Sequence, residues 1–332
     1  MIMPSIVITV VLSYIMNHKI NKVQNNSLLI CIVGPTAIGK TSLAIEIARF
    51  FSAEIISADS RQFYKEMEIG TAVPTKKELA EITHHFIQNR SIFEDYSVGD
   101  FERDVITLLN TLFENHHIVV MVGGSGLYVD AVLKGLDKFP EVPINIIEEL
   151  KAEFETHGIE PLQKELLDKD PNYYKKVDLQ NHHRIIRALG VCRTQELPYS
   201  SFLNTHKEPR NFKTITIGLT TDRDIIYNRI NQRVDIMMNE GLENEARNLH
   251  SYKDLNALQT VGYRELFNYF DGEYSKEFAV EEIKKNTRRF AKRQGTWFRK
   301  NKDIIWFDYK TNTSEIINKI SNAQAKLFSV GR

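Results

Sequence analysis

The chain has 332 residues, 42% hydrophobic and 26% charged, a composition that fits an ordinary globular protein and excludes a disordered or fibrous one. Lysine plus arginine equals aspartate plus glutamate at 43 each, so no global field announces a nucleic-acid partner and any such partner must meet a local patch. The two cysteines, Cys31 and Cys192, form neither a metal spacing nor a disulfide framework, which excludes a zinc module and favours a reducing cytosol.

Residues 1–27 contain the apolar stretch "IMPSIVITVVLSYIM", with no basic residue before it and no clear small-residue cleavage site after it. It is shorter than the roughly 20 apolar residues that span a bilayer, so it reads as an extension before the domain, with Met16 as a candidate later start, rather than a stable membrane partner. From 28 to 33 a continuous apolar run reads as a buried strand. It leads into "GPTAIGKT" at 34–41, which fits G-x-x-x-x-G-K-[ST], a loop whose backbone N–H groups and lysine cradle phosphates. Leu43, Ile47 and Phe50 then repeat on helical spacing. "AEIISAD" (53–59) reads as a second buried strand ending on Asp59. Phe101, Val105, Leu108 and Leu112 mark an amphipathic helix begun near Asp100, and "HHIVVMVGGSG" (116–126) is a further strand ending in glycines.

Strands alternating with helices predict a parallel sheet whose ligands gather at the carboxyl ends of the strands, so Gly34, Asp59 and Gly123 converge on one crevice. From about Pro140 to Pro209 short helical segments are separated by proline, glycine and aspartate, the mark of an insertion. "FKTITIGLT" (212–220) returns to strand alternation, followed by a helix from about Asp222 to Asn239 that ends at Gly241. In the tail, Ile283, Phe290 and Trp297 form a seven-residue stripe, and "DIIWFD" (303–308) reads as a closing strand. The expected division is an α/β core from 28–139 and 210–332, with a helical lobe at 140–209.

The phosphate loop does not by itself say which phosphates it holds. An NTPase normally ends a neighbouring strand on a Mg²⁺-holding aspartate, whereas "IVVMVGGSG" ends on glycine and serine. Asp59 is the acid at a neighbouring strand end, and on residue type alone its roles are Mg²⁺ binding or a cap on the next turn. Arg229 and Arg233 lie four apart on one helical face; on residue type alone a solvated face is the simpler reading. Lys284, Lys285, Arg288, Arg289, Lys292, Arg293, Arg299, Lys300 and Lys302 come with no acid between 283 and 302, a basic face suited to phosphate contacts.

These pieces, taken together with "ADSRQFYKEMEIGTA", "HHF", "YSVGDF", "GGSGLYVDA", "RIIRAL", "RINQRV", "QTVGYREL" and "RRFAKRQGTWFR" in that order, resemble the bacterial tRNA dimethylallyltransferases, also called tRNA isopentenyltransferases. The resemblance implies a P-loop NTPase-like core and transfer of a prenyl group from dimethylallyl diphosphate to N6 of adenine 37 beside the tRNA anticodon. It implies that Gly34, Pro35, Thr36, Ala37, Ile38, Gly39, Lys40 and Thr41 hold the diphosphate, with Mg²⁺ at Thr41. Asp59 matches the family's general base, Ser125 a hydroxyl for a diphosphate oxygen or the adenine, and Arg229 an arginine that clamps the diphosphate.

The same resemblance assigns Asp59, Ser60, Arg61 and Gln62 to the flipped adenine. It turns three further segments toward the tRNA: Gln180, Asn181, His182, His183 and Arg184; Gln259, Thr260, Val261, Gly262, Tyr263 and Arg264; and Lys292, Arg293, Gln294, Trp297 and Arg299. The implied partner is the anticodon stem-loop, gripped by the lobe, and the implied state is a cytoplasmic monomer. Three positions depart from the family pattern: Ser125 stands for threonine, Gly190 for glutamate and Val73 for lysine. Rival readings are a nucleotide or small-molecule kinase on the same loop, an adenylate isopentenyltransferase, which the lobe and basic tail oppose, and a GTPase-like module, which lacks an N-K-x-D run.

Overall fold

A computed structural model describes residues 27–204 and 209–329, so the expectation for the extension falls almost wholly outside the described residues. The chain divides into two compact units, Met1–Leu133 with Arg210–Arg332, and Lys134–Pro209. In chain order the first part of the larger unit runs β1 (Leu28–Val33), α1 (Lys40–Phe51), β2 (Ile55–Ser57), α2 (Lys76–Glu81), β3 (His84–His85), α3 (Val98–Asn115), β4 (Ile118–Gly123) and α4 (Gly126–Lys134). The smaller unit holds α5 (Ile144–His157), α6 (Glu160–Lys169), α7 (Pro171–Tyr174) and α8 (His182–Gln195). The chain then returns through β5 (Lys213–Thr220), α9 (Arg223–Glu240), α10 (Leu242–Leu249), α11 (Tyr263–Phe270), α12 (Lys276–Phe298), β6 (Ile305–Asp308) and α13 (Thr313–Ser329).

The six strands form one parallel sheet in the order β3-β2-β4-β1-β5-β6. This is a P-loop NTPase-like α/β core. Every residue of β1 is buried, because a central parallel strand is covered on both faces and needs an unbroken apolar run. Its alternate residues feed two cores: Leu28, Ile30 and Ile32 pack with α1, α9 and α13, while Leu29, Cys31 and Val33 pack with α3 and α4. The predicted helix near Asp100 starts two residues earlier, at Val98, because Ser97 and Asp100 close a reciprocal capping box of the kind worth about 1 kcal/mol.

The tail departs from the seven-residue stripe. In α12 the buried residues are Ala279, Ile283, Ala291, Gln294 and Phe298, whereas Phe290 and Trp297 are 36% and 40% exposed. A straight helix drifts about 20° per heptad, so a strict seven-residue line turns away from the contact and the 3.6-residue line keeps it. The basic run is also thinner than its count: Lys284 is bridged to Asp235 and Glu281, and Lys285 to Glu282.

The smaller unit has its own core of Leu150, Leu162, Leu166, Ile185, Ile186, Ala188 and Leu189. Arg193 ties it from the rim, donating to Glu153 and Glu165. Gly190 is buried there, and a Cβ at that position would stand 3.0 Å from both Val142 and Ile147. The absence of a side chain at Gly190 therefore lets Val142 and Ile147 close over α8. Among the described residues no helix is long and apolar enough to cross a membrane.

Candidate active site

The carboxyl end of β1 opens directly into the phosphate loop. Gly34 has φ +147°, and a Cβ there would meet the carbonyl oxygen of Leu219 at 2.8 Å, so the loop can pass under β5 only with glycine. Helix α1 follows with Gly39 at its N-cap and no capping side chain, which leaves its first-turn N–H groups and dipole facing the loop, a ready anion seat.

Three cations surround that seat, each resting on the loop itself. Lys40 Nζ donates to the Pro35 carbonyl at 2.8 Å, Arg229 Nε to the Ala37 carbonyl at 2.7 Å, and Arg233 Nη1 to the Thr36 hydroxyl at 3.2 Å. Burial, reinforced by the neighbouring Arg233 charge and opposed by Asp59, brings the Lys40 pKa down to about 7. Burial likewise lowers the Arg233 pKa, again against Asp59. Packing positive charge out of water is costly, and a bound polyanion would offset that cost. Arg233 lies outside the residues assigned by resemblance; its four-residue spacing from Arg229 is the signal that finds it, since both reach the loop from one face of α9.

The cavity over the loop has a volume of about 410 Å³ and is walled by Ala37, Lys40, Thr41, Arg229 and Arg233 on one side and by Ala72, Val73 and Pro74 on the other. Val73 thus stands in the wall of the phosphate cavity. Thr41 supplies an oxygen on the wall, and Mg²⁺ ordinarily takes one or two protein oxygens, several waters and the substrate's own phosphates. Among the described residues there is no cluster of three or more His, Cys, Asp or Glu side chains that could hold a metal ion.

Two strands over, beyond β4, Asp59 follows β2. Its Oδ1 accepts the N–H of Arg61 at 2.9 Å and that of Gln62 at 3.4 Å, so the turn-capping role is filled by one oxygen. Asp59 is close enough to act on both Lys40 and Arg233. Ser125, at the start of α4, accepts the N–H of Ser60 at 3.0 Å, which leaves its hydroxyl proton to donate elsewhere. Gln62 is fully engaged: its Oε1 accepts from Ser57 Oγ at 2.9 Å, and its Nε2 donates to the carbonyls of Thr71 and Ala72 at 3.2 and 2.9 Å. It shapes the pocket more than it offers free bonds.

Two of the residues turned toward RNA by resemblance have buried side chains. Gln294 is 6% exposed; its Oε1 accepts the Thr36 N–H at 2.8 Å and its Nε2 donates to the Gly124 carbonyl at 3.0 Å, pinning the phosphate loop to the end of β4. Tyr263 is fully buried and donates to Glu245 at 2.6 Å. Their side chains hold the protein together, and neither presents a surface to a nucleic acid.

Most of the others are reachable. Gln259, Arg264, Lys292, Arg293, Trp297 and Arg299 are exposed, with Thr260 and Val261 half-buried beside the buried turn at Gly262. Trp297 donates to Asp130 at 2.8 Å, which fixes its exposed ring. In the smaller unit Gln180, His183 and Arg184 are exposed, Asn181 caps α8 by accepting the Arg184 N–H at 3.2 Å, and His182 stacks on Phe154 at 4.4 Å.

Residues 62–301 match a family model described as IPP transferase. Proteins named tRNA dimethylallyltransferase are 58% identical over 298 residues in Flavobacterium johnsoniae, covering 88% of this chain and 96% of that protein, and 59% identical over 294 residues in Christiangramia forsetii, covering 89% and 97%. Among solved structures, a tRNA isopentenylpyrophosphate transferase from Bacillus halodurans is 35% identical, with a TM-score of 0.67 over 91% of this chain and 97% of that one. A eukaryotic dimethylallyltransferase acting on tRNA, 24% identical, shares the fold with a TM-score of 0.77 over 89% and 79% of the two chains. With a match across this much of its length, the chain belongs to the IPP transferase family.

Proposed function

We propose that the chain transfers a dimethylallyl group from dimethylallyl diphosphate to N6 of adenine 37 in tRNA. The observation that carries the reading is the pairing of an anion cradle bearing three buried or half-buried cations with the Asp59 carboxylate at the end of β2, two strands away. Such a pairing suits a reaction in which a diphosphate leaves and a proton is removed from an amine.

In this reading the bond between the prenyl C1 and the diphosphate oxygen breaks as the N6 lone pair bonds to C1. Both electrons of the broken bond depart with the diphosphate, whose growing charge meets the α1 N-terminus, Lys40, Arg229 and Arg233. The N6 proton passes to Asp59. Ser125 is placed beside Ser60 with a hydroxyl proton to donate, to the adenine or to a diphosphate oxygen. Mg²⁺, when bound with the diphosphate at Thr41, adds neutralising charge.

Adenine 37 is stacked in its loop and has to be flipped out to reach Asp59. The exposed residues of α12, Gln259 with Arg264, and Gln180 with His183 and Arg184 are the surfaces proposed to meet the anticodon stem-loop. In this reading the protein acts as a monomer in the cytoplasm, where tRNA is found.

The test incubates the protein with unmodified tRNA, dimethylallyl diphosphate and, separately, γ-labelled ATP. A prenyl mass gain confined to nucleoside 37, with no movement of the γ-phosphate, is expected. Phosphoryl transfer without a prenyl gain would replace the reading with the kinase one.

A further inference from the structure

We propose that Glu245 is a positioning residue for this site: its carboxylate, backed by Tyr263, holds the loop 68–74 in the place where it walls the phosphate cavity and fixes Gln62 beside Asp59. The proposal rests on the prenyl-transfer reading for its consequence, although not for its geometry.

Glu245 lies on α10, and its side chain gathers three successive backbone donors of the loop. Oε2 accepts the N–H groups of Glu68 at 3.0 Å and Ile69 at 2.8 Å, and Oε1 accepts that of Gly70 at 2.9 Å. The fourth donor is the Tyr263 hydroxyl on Oε1 at 2.6 Å. A carboxylate offers about four acceptor sites, so this one is filled, and bonds to an ionised acceptor are roughly twice as strong as neutral ones. Burial, and next the Glu245 charge, push the Tyr263 phenol far above its usual range, so it remains a donor.

The tyrosine ring also shapes the loop. A Cβ on Gly70 would stand 2.6 Å from three of the ring and hydroxyl atoms, so only glycine lets the loop lie this close. From Gly70 the constraint runs onward: Ala72 donates to Ile69 at 3.0 Å and Val73 to Glu68 at 3.1 Å, closing a tight turn with Ala72 at φ +50°. That turn presents the Thr71 and Ala72 carbonyls to Gln62, and Ala72, Val73 and Pro74 to the cavity. The segments "EIGTA" and "VGYRE", distant in sequence, thus meet on one carboxylate.

The experiment compares Glu245→Gln, Gly70→Ala and Tyr263→Phe with the unaltered chain by amide hydrogen exchange, melting temperature, tRNA affinity and single-turnover prenyl transfer. An amide has one acceptor oxygen, so Glu245→Gln cannot hold both halves of the donor set. Exchange at Glu68, Ile69 and Gly70 should accelerate by about 10-fold or more, and transfer should fall by about 10- to 100-fold, in line with the cost of a 1 Å misplacement. tRNA affinity and melting temperature should change little. Gly70→Ala attacks the same contact from the loop side and should give the same pattern, which carries the test if Glu245→Gln does not fold. Tyr263→Phe leaves the three loop bonds intact and should lose less. Wild-type exchange and transfer rates in both loop-directed variants would overturn the proposal, as would a lowered melting temperature with transfer unchanged below it. An unaltered chain that fails to prenylate tRNA would instead remove the functional reading, and the exchange result would stand apart from it.

Discussion

At Lys40, burial opposes charge, and the conflict has a direction. Its pKa of about 7 lies below the ordinary lysine value, so in the ligand-free protein the ammonium is lost as pH rises through that point. A diphosphate supplies the missing counter-charge, raises the pKa and so draws a proton onto Lys40 when it binds above neutral pH. Affinity for diphosphate should therefore decline as pH rises past about 7. Calorimetry near pH ~8, in two buffers of different ionisation heat, should show the unaltered chain taking up more protons than Lys40→Met, by up to about one. Equal uptake would remove Lys40 from the binding step. Asp59→Asn makes a separate test, because it keeps the shape and the turn-capping oxygen while removing the base. Single-turnover transfer should fall by roughly 10² to 10⁴ with tRNA affinity little changed. A loss expressed in donor affinity and recovered at higher Mg²⁺ concentration would reassign Asp59 to the metal.

Helix α12 shows how charge read from sequence is reduced by structure. Lys284 and Lys285 are spent on Asp235, Glu281 and Glu282, and Arg288 donates to Asn231 at 2.7 Å, whereas Arg289, Lys292 and Arg293 are exposed. Replacing the last three with glutamine should weaken tRNA binding, flattening the slope of log K against log salt by roughly 0.7 to 0.9 for each phosphate that the variant no longer neutralises, with diphosphate binding spared. An unchanged slope would move the RNA surface elsewhere. Glu281 and Glu282 directly precede the basic run, but Asp235 comes from another helix, so no window of sequence around the run reveals it. The same limit explains Gln294 and Tyr263: each stands next to an exposed arginine, and its burial goes with bonds to Thr36, Gly124 and Glu245, which lie outside its own segment. What depends on local pattern was legible, including the apolar run of β1, the glycine-framed loop and the four-residue spacing of Arg229 and Arg233. Strand β3 is two residues long, too short for any period to register.

For the molecule as a whole, the insertion leaves and returns through one small region of the larger unit. Arg210 donates to the carbonyls of Ala131 at 2.7 Å and Val132 at 2.8 Å and is bridged to Glu102, so the two chain ends are held within reach of a single side chain. The cradle residues, Asp59, Ser125, Arg229 and Arg233 all belong to the larger unit, and the smaller unit closes around seven buried residues of its own. Replacing residues 134–209 with a short Gly/Ser linker should therefore cost the larger unit little, since loop-closure entropy changes by only about 0.6 kcal/mol for each doubling of loop length. The shortened chain should melt cooperatively and bind diphosphate within about threefold of the full chain, consistent with a loss of less than about 1 kcal/mol. It should lose tRNA affinity and prenyl transfer together, because the segment from Gln180 to Arg184 goes with the smaller unit. Arg184→Glu in the full chain, exposed near the start of α8 and outside the larger unit, should give a milder loss of the same kind. If the shortened chain binds tRNA as tightly as the full one, the smaller unit has no part in holding the RNA and Gln180 to Arg184 leave the proposed interface. If it melts normally but no longer binds diphosphate, the phosphate site needs the smaller unit, and the assignment of the cradle to the larger unit alone fails.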